Sequence, residues 1–303
     1  MKLRKILYVL VMIALIYGSY QYIEYKNSTQ YKLKEVGYSK EEITIIMNNL
    51  HEDSINYLLE NEYNDQIASL IKEKYFIEEK LEAYLKYHAE NKDKSLSDVV
   101  SIVNAGADKE FYTNIQKTDY SKGNLILVNK FHKLEEDYVV EDLVPVSLQY
   151  AYDGHYIKKE VLENFIDLWH DAKKNGFTII INSSYRDYEY QEQLYENYSR
   201  VHGRTEADTF SAKPGHSEHQ TGLAIDVAAY GSNIDDFSQT PEFEWMKDNA
   251  HKYGFILRYP EGKEHITGYM CEPWHYRYVG KEVAKEIYEM GITFDEYYEL
   301  FIK

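Results

Sequence analysis

The sequence predicts an α+β fold, and three features point to it. From Asp119 onward, helix-period stretches and short strand-like runs are interleaved without strict alternation. Before Asp119 the apolar spacing is helical throughout. The strand-like runs are brief and end in polar motifs, the pattern of a small mixed sheet flanked by helices.

Composition sets outer limits. The chain has 303 residues, 44% of them apolar, which is enough for a folded core and for two modest domains or one domain with an appendage. Its 51 acidic against 34 basic residues give a net charge of −17, so no basic face can be spared for a nucleic-acid backbone. The 32 tyrosines are read as amphipathic packing rather than as a sugar-stacking surface. Cys271 is the only cysteine, which excludes an intrachain disulfide. A Cys271–His275 nucleophile pair is also not expected, because no second histidine is oriented for it.

Residues 1–27 open the chain. Lys2, Arg4 and Lys5 precede an apolar run from Ile6 to Tyr17 that continues more weakly to Ile23, the order of an export signal. No small-x-small cleavage site follows. The segment is therefore expected to remain as a membrane anchor with the rest of the chain outside, secretion after cleavage being the alternative.

Residues 28–118 read as a helical spacer or accessory domain. Ser39 and Glu42 form a capping box ahead of the stripe Ile43, Ile46, Met47 and Leu50. Ile77, Leu81, Tyr84, Leu85 and His88 make another helical face, and Ser95 with Asp98 opens a helix that ends near Gly106. His51 and His88 belong to this packing. Ser69 and Lys72 match the Ser-x-x-Lys motif of serine peptidases, but its Lys-Thr-Gly and Ser-Asp-Asn companions do not occur, so a serine mechanism is not expected.

Residues 119–303 carry the chemistry. The turn Ser121–Asn124 leads into a strand over 125–128, and a helix follows from Lys158 to Asn175 with Gly176 as its stop. A continuous apolar strand, 177–182, delivers Ser183, Ser184, Tyr185 and Arg186 to its end, and a helix begins at Asp187 with Gln191 one turn on. Later, Thr240 caps a helix with Pro241 in its first position and Gly254 beyond its end. Strands are expected over 255–258 and 269–279, then helices over 281–290 and 294–302.

Two polar blocks stand out in this region. Lys213 to Asp226 contains His216, Ser217, His219 and Asp226; Glu272 to His275 reads Glu-Pro-Trp-His. His219, Asp226 and His275 supply imidazole nitrogen and carboxylate oxygen, a donor set that suits Zn²⁺, and three protein ligands leave a position for water. Glu272 is then free to act as base. Asp226 alternates with Leu223, Ile225 and Val227 in a buried strand, and Gly222 lets the backbone turn between it and His219. Pro273 pushes Glu272 toward extended backbone, so Glu272 and His275 are expected near a strand end. His216 is the rival ligand.

The pattern Ser217-x-His219-x-x-Gly222-x-Ala224-x-Asp226, with Glu272-x-x-His275 after it and Ser183-Ser184-Tyr185-Arg186 before it, resembles the zinc D-Ala-D-Ala carboxypeptidases of the VanY type. The resemblance covers Asp119 to Gly291 and leaves His216 outside its pattern. It implies a cell-wall peptidase that removes the terminal D-alanine from peptidoglycan stem peptides, with zinc on His219, Asp226 and His275 and with Glu272 as catalytic base. Arg186 would pair with a substrate carboxylate or the developing oxyanion. Ser184, Gln191 and Ser217 would be further substrate contacts. An L,D-carboxypeptidase acting on tetrapeptide stems is the alternative within this reading, and a non-catalytic wall-binding module the alternative outside it. The oligomeric state cannot be read from the sequence.

Overall fold

The computed structural model describes residues 2–303. They divide into two compact units, Met1–Val103 and Asn104–Lys303. The first is helical: α1 Lys2–Asn27, α2 Thr29–Val36, α3 Lys40–Asn49, α4 Glu52–Glu60, α5 Ile67–Leu70, α6 Leu81–Glu90 and α7 Leu96–Asn104. The capping box forms as expected, Glu42 N–H donating to Ser39 Oγ and Ser39 N–H to Glu42 Oε2. Leu33, Ile46, Leu58, Tyr84 and Val99 build the core, while Met47 stays on the surface.

The expected membrane anchor is not supported. The apolar run is helical within α1, yet among the described residues no helix is long and apolar enough to cross a membrane. Gly18, Ser19, Gln21 and Glu24 interrupt it well before the ~20 apolar residues of a typical span.

The second unit takes up residues 105–118, which sequence periodicity grouped with the helices. Gln116 N–H donates to the Phe131 carbonyl at 2.7 Å, and Thr118 Oγ to that of Leu127 at 3.0 Å. Thus β1, Gln116–Lys117, pairs in parallel with β2, His132–Lys133. The strand expected at 125–128 does not form, because side chains take the carbonyls that a ladder would need. Arg277 Nη2 donates to the carbonyl of Ile126 at 2.8 Å, next to the Thr118 bond on Leu127.

Further along, β3, Leu143–Pro145, pairs with β4, Tyr156–Lys158. Then come α8 Lys159–Lys174, β5 Ile179–Ser183, α9 Tyr188–His202, α10 Arg204–Phe210, β6 Ala224–Ala229, α11 Pro241–Asn249, β7 Phe255–Leu257, α12 Glu264–Thr267, β8 His275–Tyr278, α13 Lys281–Met290 and α14 Phe294–Tyr297. The principal sheet has the order β5-β6-β8-β7. Every neighbouring pair in it is antiparallel, so the sheet is not the mixed one expected. β6 and β7 run in the same direction and are joined by a crossover through α11, but β8 lies between them and pairs antiparallel with both.

Helix α8 lays Phe165, Leu168 and Trp169 against Ile181, Ile225 and Val227 of the sheet. Successive strand residues point to opposite faces. With Ile225 and Val227 turned into that core, Asp226 is presented on the other side, where the cleft lies.

Candidate metal centre

Three elements bring the donors together. Asp226 of β6 is the register partner of His275 at the start of β8, and of Ser183 at the end of β5, where a bulge shifts the ladder. His219 sits on the single turn Glu218–Thr221, which ends at Gly222 with φ 67° and ψ 13°. A side chain at Gly222 would meet Leu143, Lys158 and Val140 at 3.0–3.2 Å, so both the left-handed backbone and the close approach require glycine.

His219, Asp226 and His275 are buried and offer donor atoms that all lie within 4.8 Å of one another. Asp226 Oδ1 is 3.3 Å from His219 Nε2 and 3.1 Å from His275 Nδ1. It nevertheless has no hydrogen-bond partner among the described residues. A buried carboxylate oxygen left this way is costly unless a cation completes it. His219 Nδ1–H donates to the Ser184 carbonyl at 2.7 Å, which leaves Nε2 as a lone pair facing Asp226. Two imidazoles and a carboxylate facing a common point fit a zinc ion.

Glu272 stands beside these donors, with Oε2 3.7 Å from His275 Nδ1. Burial pushes its carboxyl up to about 7, into the range useful for proton transfer near neutral pH. Burial and the nearby Arg186 charge bring His219 down to about 4. His275 behaves differently: burial would lower it, but the carboxylates of Asp226 and Glu218 beside its ring prevail and raise it to about 9. Burial would also raise Asp226, and the two histidines hold it well below the usual carboxylate range.

The remaining predicted residues separate into two groups. Arg186, Gln191 and Ser217 line the same cleft, a cavity of about 350 Å³. Arg186 Nη1 lies 3.7 Å from Asp226 Oδ2 and donates to Ser183 Oγ at 2.9 Å. Gln191 is buried, accepting from Arg186 Nε at 3.1 Å and donating to the Ala212 carbonyl at 2.8 Å, so it orients the guanidinium. Ser184 does not line the cleft. Its carbonyl holds His219, and its hydroxyl shares a 3.0 Å hydrogen bond with His155 Nδ1. His216 also stays out of the donor cluster, its Nδ1 donating to the Asn129 carbonyl at 2.7 Å.

Comparison with known proteins identifies relatives of the chain. A family model described as VanY, D-alanyl-D-alanine carboxypeptidase, matches residues 154–281. The putative carboxypeptidase YodJ of Bacillus subtilis (strain 168) is 37% identical over 205 residues, covering 63% of this chain and 75% of that protein. The chain belongs to the VanY family.

Solved structures of similar proteins bear out the fold. The LdcB LD-carboxypeptidase aligns with a TM-score of 0.58 and 38% identity, covering 63% of this chain and 92% of that one. A vancomycin-resistance D,D-pentapeptidase VanY from a VanB-type cassette, solved in complex with Zn(II), aligns with a TM-score of 0.51 and 36% identity, covering 57% of this chain and 98% of that one.

Several residues around the VanY-type site escaped sequence reasoning. Glu218, Arg258, Arg277 and Asp295 are all buried. One signal was present: Arg277 interrupts the aromatic run Trp274–Tyr278, and an arginine inside a buried strand demands a partner. Nothing local in the sequence identified Asp295 or His155 as members of the site's surroundings.

Proposed function

We propose that this chain is a zinc-dependent carboxypeptidase that removes the C-terminal D-alanine from peptidoglycan stem peptides, with D-Ala-D-Ala ends favoured. The observation that carries the reading is the convergence of His219, Asp226 and His275 on one point with Glu272 beside it. Family membership supports it.

A bound zinc would supply a Lewis acid for the scissile carbonyl and acidify a water at its open position. His219 Nε2, Asp226 Oδ1 and His275 Nδ1 are the atoms that would hold it. Glu272 accepts the proton of the attacking water and returns it to the leaving amine of D-alanine. Arg186, held flat by Gln191 and Ser183, offers its donor fork to the peptide's terminal carboxylate or the developing oxyanion. Burial of the site keeps these charges strong.

The second reading is L,D-carboxypeptidase action on tetrapeptide stems. The likeness to the LdcB LD-carboxypeptidase favours it. One experiment separates the two. The zinc-loaded protein is incubated with a pentapeptide and a tetrapeptide stem, and D-alanine release is followed by mass spectrometry. Release from the pentapeptide is expected; trimming of the tetrapeptide alone would transfer the reading to L,D activity, and inertness toward both would leave a non-catalytic wall-binding module.

Such a substrate lies outside the cytoplasmic membrane, and the basic start followed by an apolar run in residues 1–27 supports export. Fractionation of cells into cytoplasm, membrane, wall and medium tests this. Protein confined to the cytoplasm would contradict it.

A further inference from the structure

Glu218 follows Ser217 and precedes His219, yet its carboxylate reaches the far edge of a different ligand. His275 Nε2 lies 3.4 Å from Glu218 Oε2, on the side of the ring opposite to Nδ1. The other oxygen, Oε1, accepts from Arg258 Nε at 2.7 Å and from Arg277 Nη1 at 2.8 Å. All three side chains are fully buried.

The rest of this cluster leaves Glu218 little freedom. Arg258 also pairs with both oxygens of Asp295, which in turn accepts from Asn129 Nδ2 at 2.8 Å. Arg277 places Nη2 on the carbonyls of Asn124 and Ile126 at 2.9 and 2.8 Å. Two carboxylates balance two guanidiniums, and the donors of the arginines are directed at fixed acceptors. Taking these charges out of water is expensive, so an apolar filling would suit stability at least as well. What an apolar filling could not provide is an acceptor for His275 Nε2–H.

A neutral imidazole carries one N–H, and its position decides which nitrogen can bind a cation. Asp226 Oδ1 lies 3.1 Å from His275 Nδ1 and would draw the proton to that nitrogen. That would close the site. His219 faces the same choice, and the Ser184 carbonyl resolves it by taking the Nδ1 proton. His275 has a carboxylate in that role.

We propose that Glu218, held by Arg258 and Arg277, is a positioning residue that retains the His275 proton on Nε2, fixes the ring, and so keeps Nδ1 available as a zinc donor. The proposal rests on the zinc reading above. It adds a residue to the site from within the motif itself.

The test compares zinc affinity, by competition with a chromophoric chelator, for the full chain and three variants, with unfolding in urea measured in parallel. In Glu218→Gln the side-chain oxygen is claimed by the arginines, and its NH₂ turns toward His275 Nε2, which forces the proton onto Nδ1. Zinc binding is expected to weaken ~10–100-fold, as for other partners of metal-bound histidines. Asp295→Asn disturbs the same buried charges without touching His275. It is expected to lower the urea midpoint while zinc affinity stays within about three-fold. Glu218→Asp keeps the charge but withdraws the acceptor by one methylene, so it too should weaken zinc by ~10-fold, and it carries the test if Glu218→Gln does not fold.

A folded Glu218→Gln or Glu218→Asp protein with wild-type zinc affinity overturns the proposal. Equal loss of affinity in Asp295→Asn does so as well, since the effect would then be general disturbance of the cluster. Failure of the unmodified protein to bind zinc is a different result: it overturns the zinc reading and this inference together.

Discussion

Asp226 and His275 are register partners on adjacent antiparallel strands, with Asp226 Oδ1 3.1 Å from His275 Nδ1. The β6–β8 pairing therefore sets the separation of two of the three donors. Directly opposed residues keep their Cβ atoms about 4.5–5.5 Å apart, and a one-residue slip would turn either side chain to the other face. A site built on strands in this way is preorganised, whereas His219 depends on a single turn and on Gly222.

Zinc should bind at about one ion per chain. His275→Ala should lose both metal and activity. His216→Ala should keep the metal, because His216 Nδ1 is engaged with Asn129 rather than with the donors. Metal analysis of the purified variants after dialysis checks both outcomes, and loss of zinc from the His216 variant alone would reverse the ligand assignment.

Glu272→Gln separates a base from a ligand. The amide preserves size but cannot accept the proton, so zinc content should stay near wild type while turnover falls by ~10²–10⁴-fold or more. The pH profile carries a second expectation. Glu272 must be ionised to act, its carboxyl is raised to about 7 by burial, and a nearby dication would lower it. The acidic limb of kcat/KM should therefore fall off at or below pH ~7, and it should be missing from the residual activity of the Gln variant.

Much of this was legible in the sequence for physical reasons that can be named. Asp226 in an apolar run, Glu272 ahead of Pro273 and the caps at Ser39 and Thr240 are local signals, and each appears where local rules put it. The strand expected at 125–128 failed because its carbonyls are claimed by Arg277 and Thr118, a tertiary competition invisible along the chain. Ser184 looked like a substrate contact from its place at a strand end. Its hydroxyl and carbonyl instead serve His155 and His219, and only the fold brings those partners together.

Acid should destabilise the protein through His216. Burial brings this imidazole down from 6.5 to about 4. Between those values the unfolded chain binds the extra proton and the folded chain does not, so stability rises with pH across the window and is lost as pH falls through it. The contribution is about 1.4 kcal/mol per pH unit, or ~3 kcal/mol over the whole interval. His216→Asn keeps a donor for the Asn129 carbonyl but cannot titrate. Its urea-derived stability should fall less steeply than that of the wild type between pH 6.5 and pH 4, and equal slopes would show that His216 stays unperturbed.

The last expectation concerns where the catalytic unit begins. Sequence texture places the boundary at Asp119, whereas the compact unit starts at Asn104. The difference is Phe111 and Tyr112. The Tyr112 ring packs edge-on to His216 at 5.1 Å, its hydroxyl meets that of Tyr269 at 3.3 Å, and Lys213 Nζ lies 3.9 Å from its centroid. Lys130 sits among Phe111, Tyr112 and Tyr269, with its ammonium donating to the carbonyls of Asp208 and Gly268. Tyr269 in turn lines the cleft. Removing residues 104–118 would strip two rings from a buried cation and open His216 to water. Aromatic pairs are worth ~0.5–1.5 kcal/mol each beyond their buried area, and cation–π contacts a similar amount, so a 119–303 fragment should be less stable than a 104–303 fragment by ~3 kcal/mol or more. Because the three zinc donors are retained, the shorter fragment should still bind the metal where it folds. Its KM should rise, since the Tyr269 wall loses its support. Urea denaturation of the two fragments side by side decides the matter: coincident midpoints would move the boundary back to Asp119 and reduce the aromatic cluster to a surface contact.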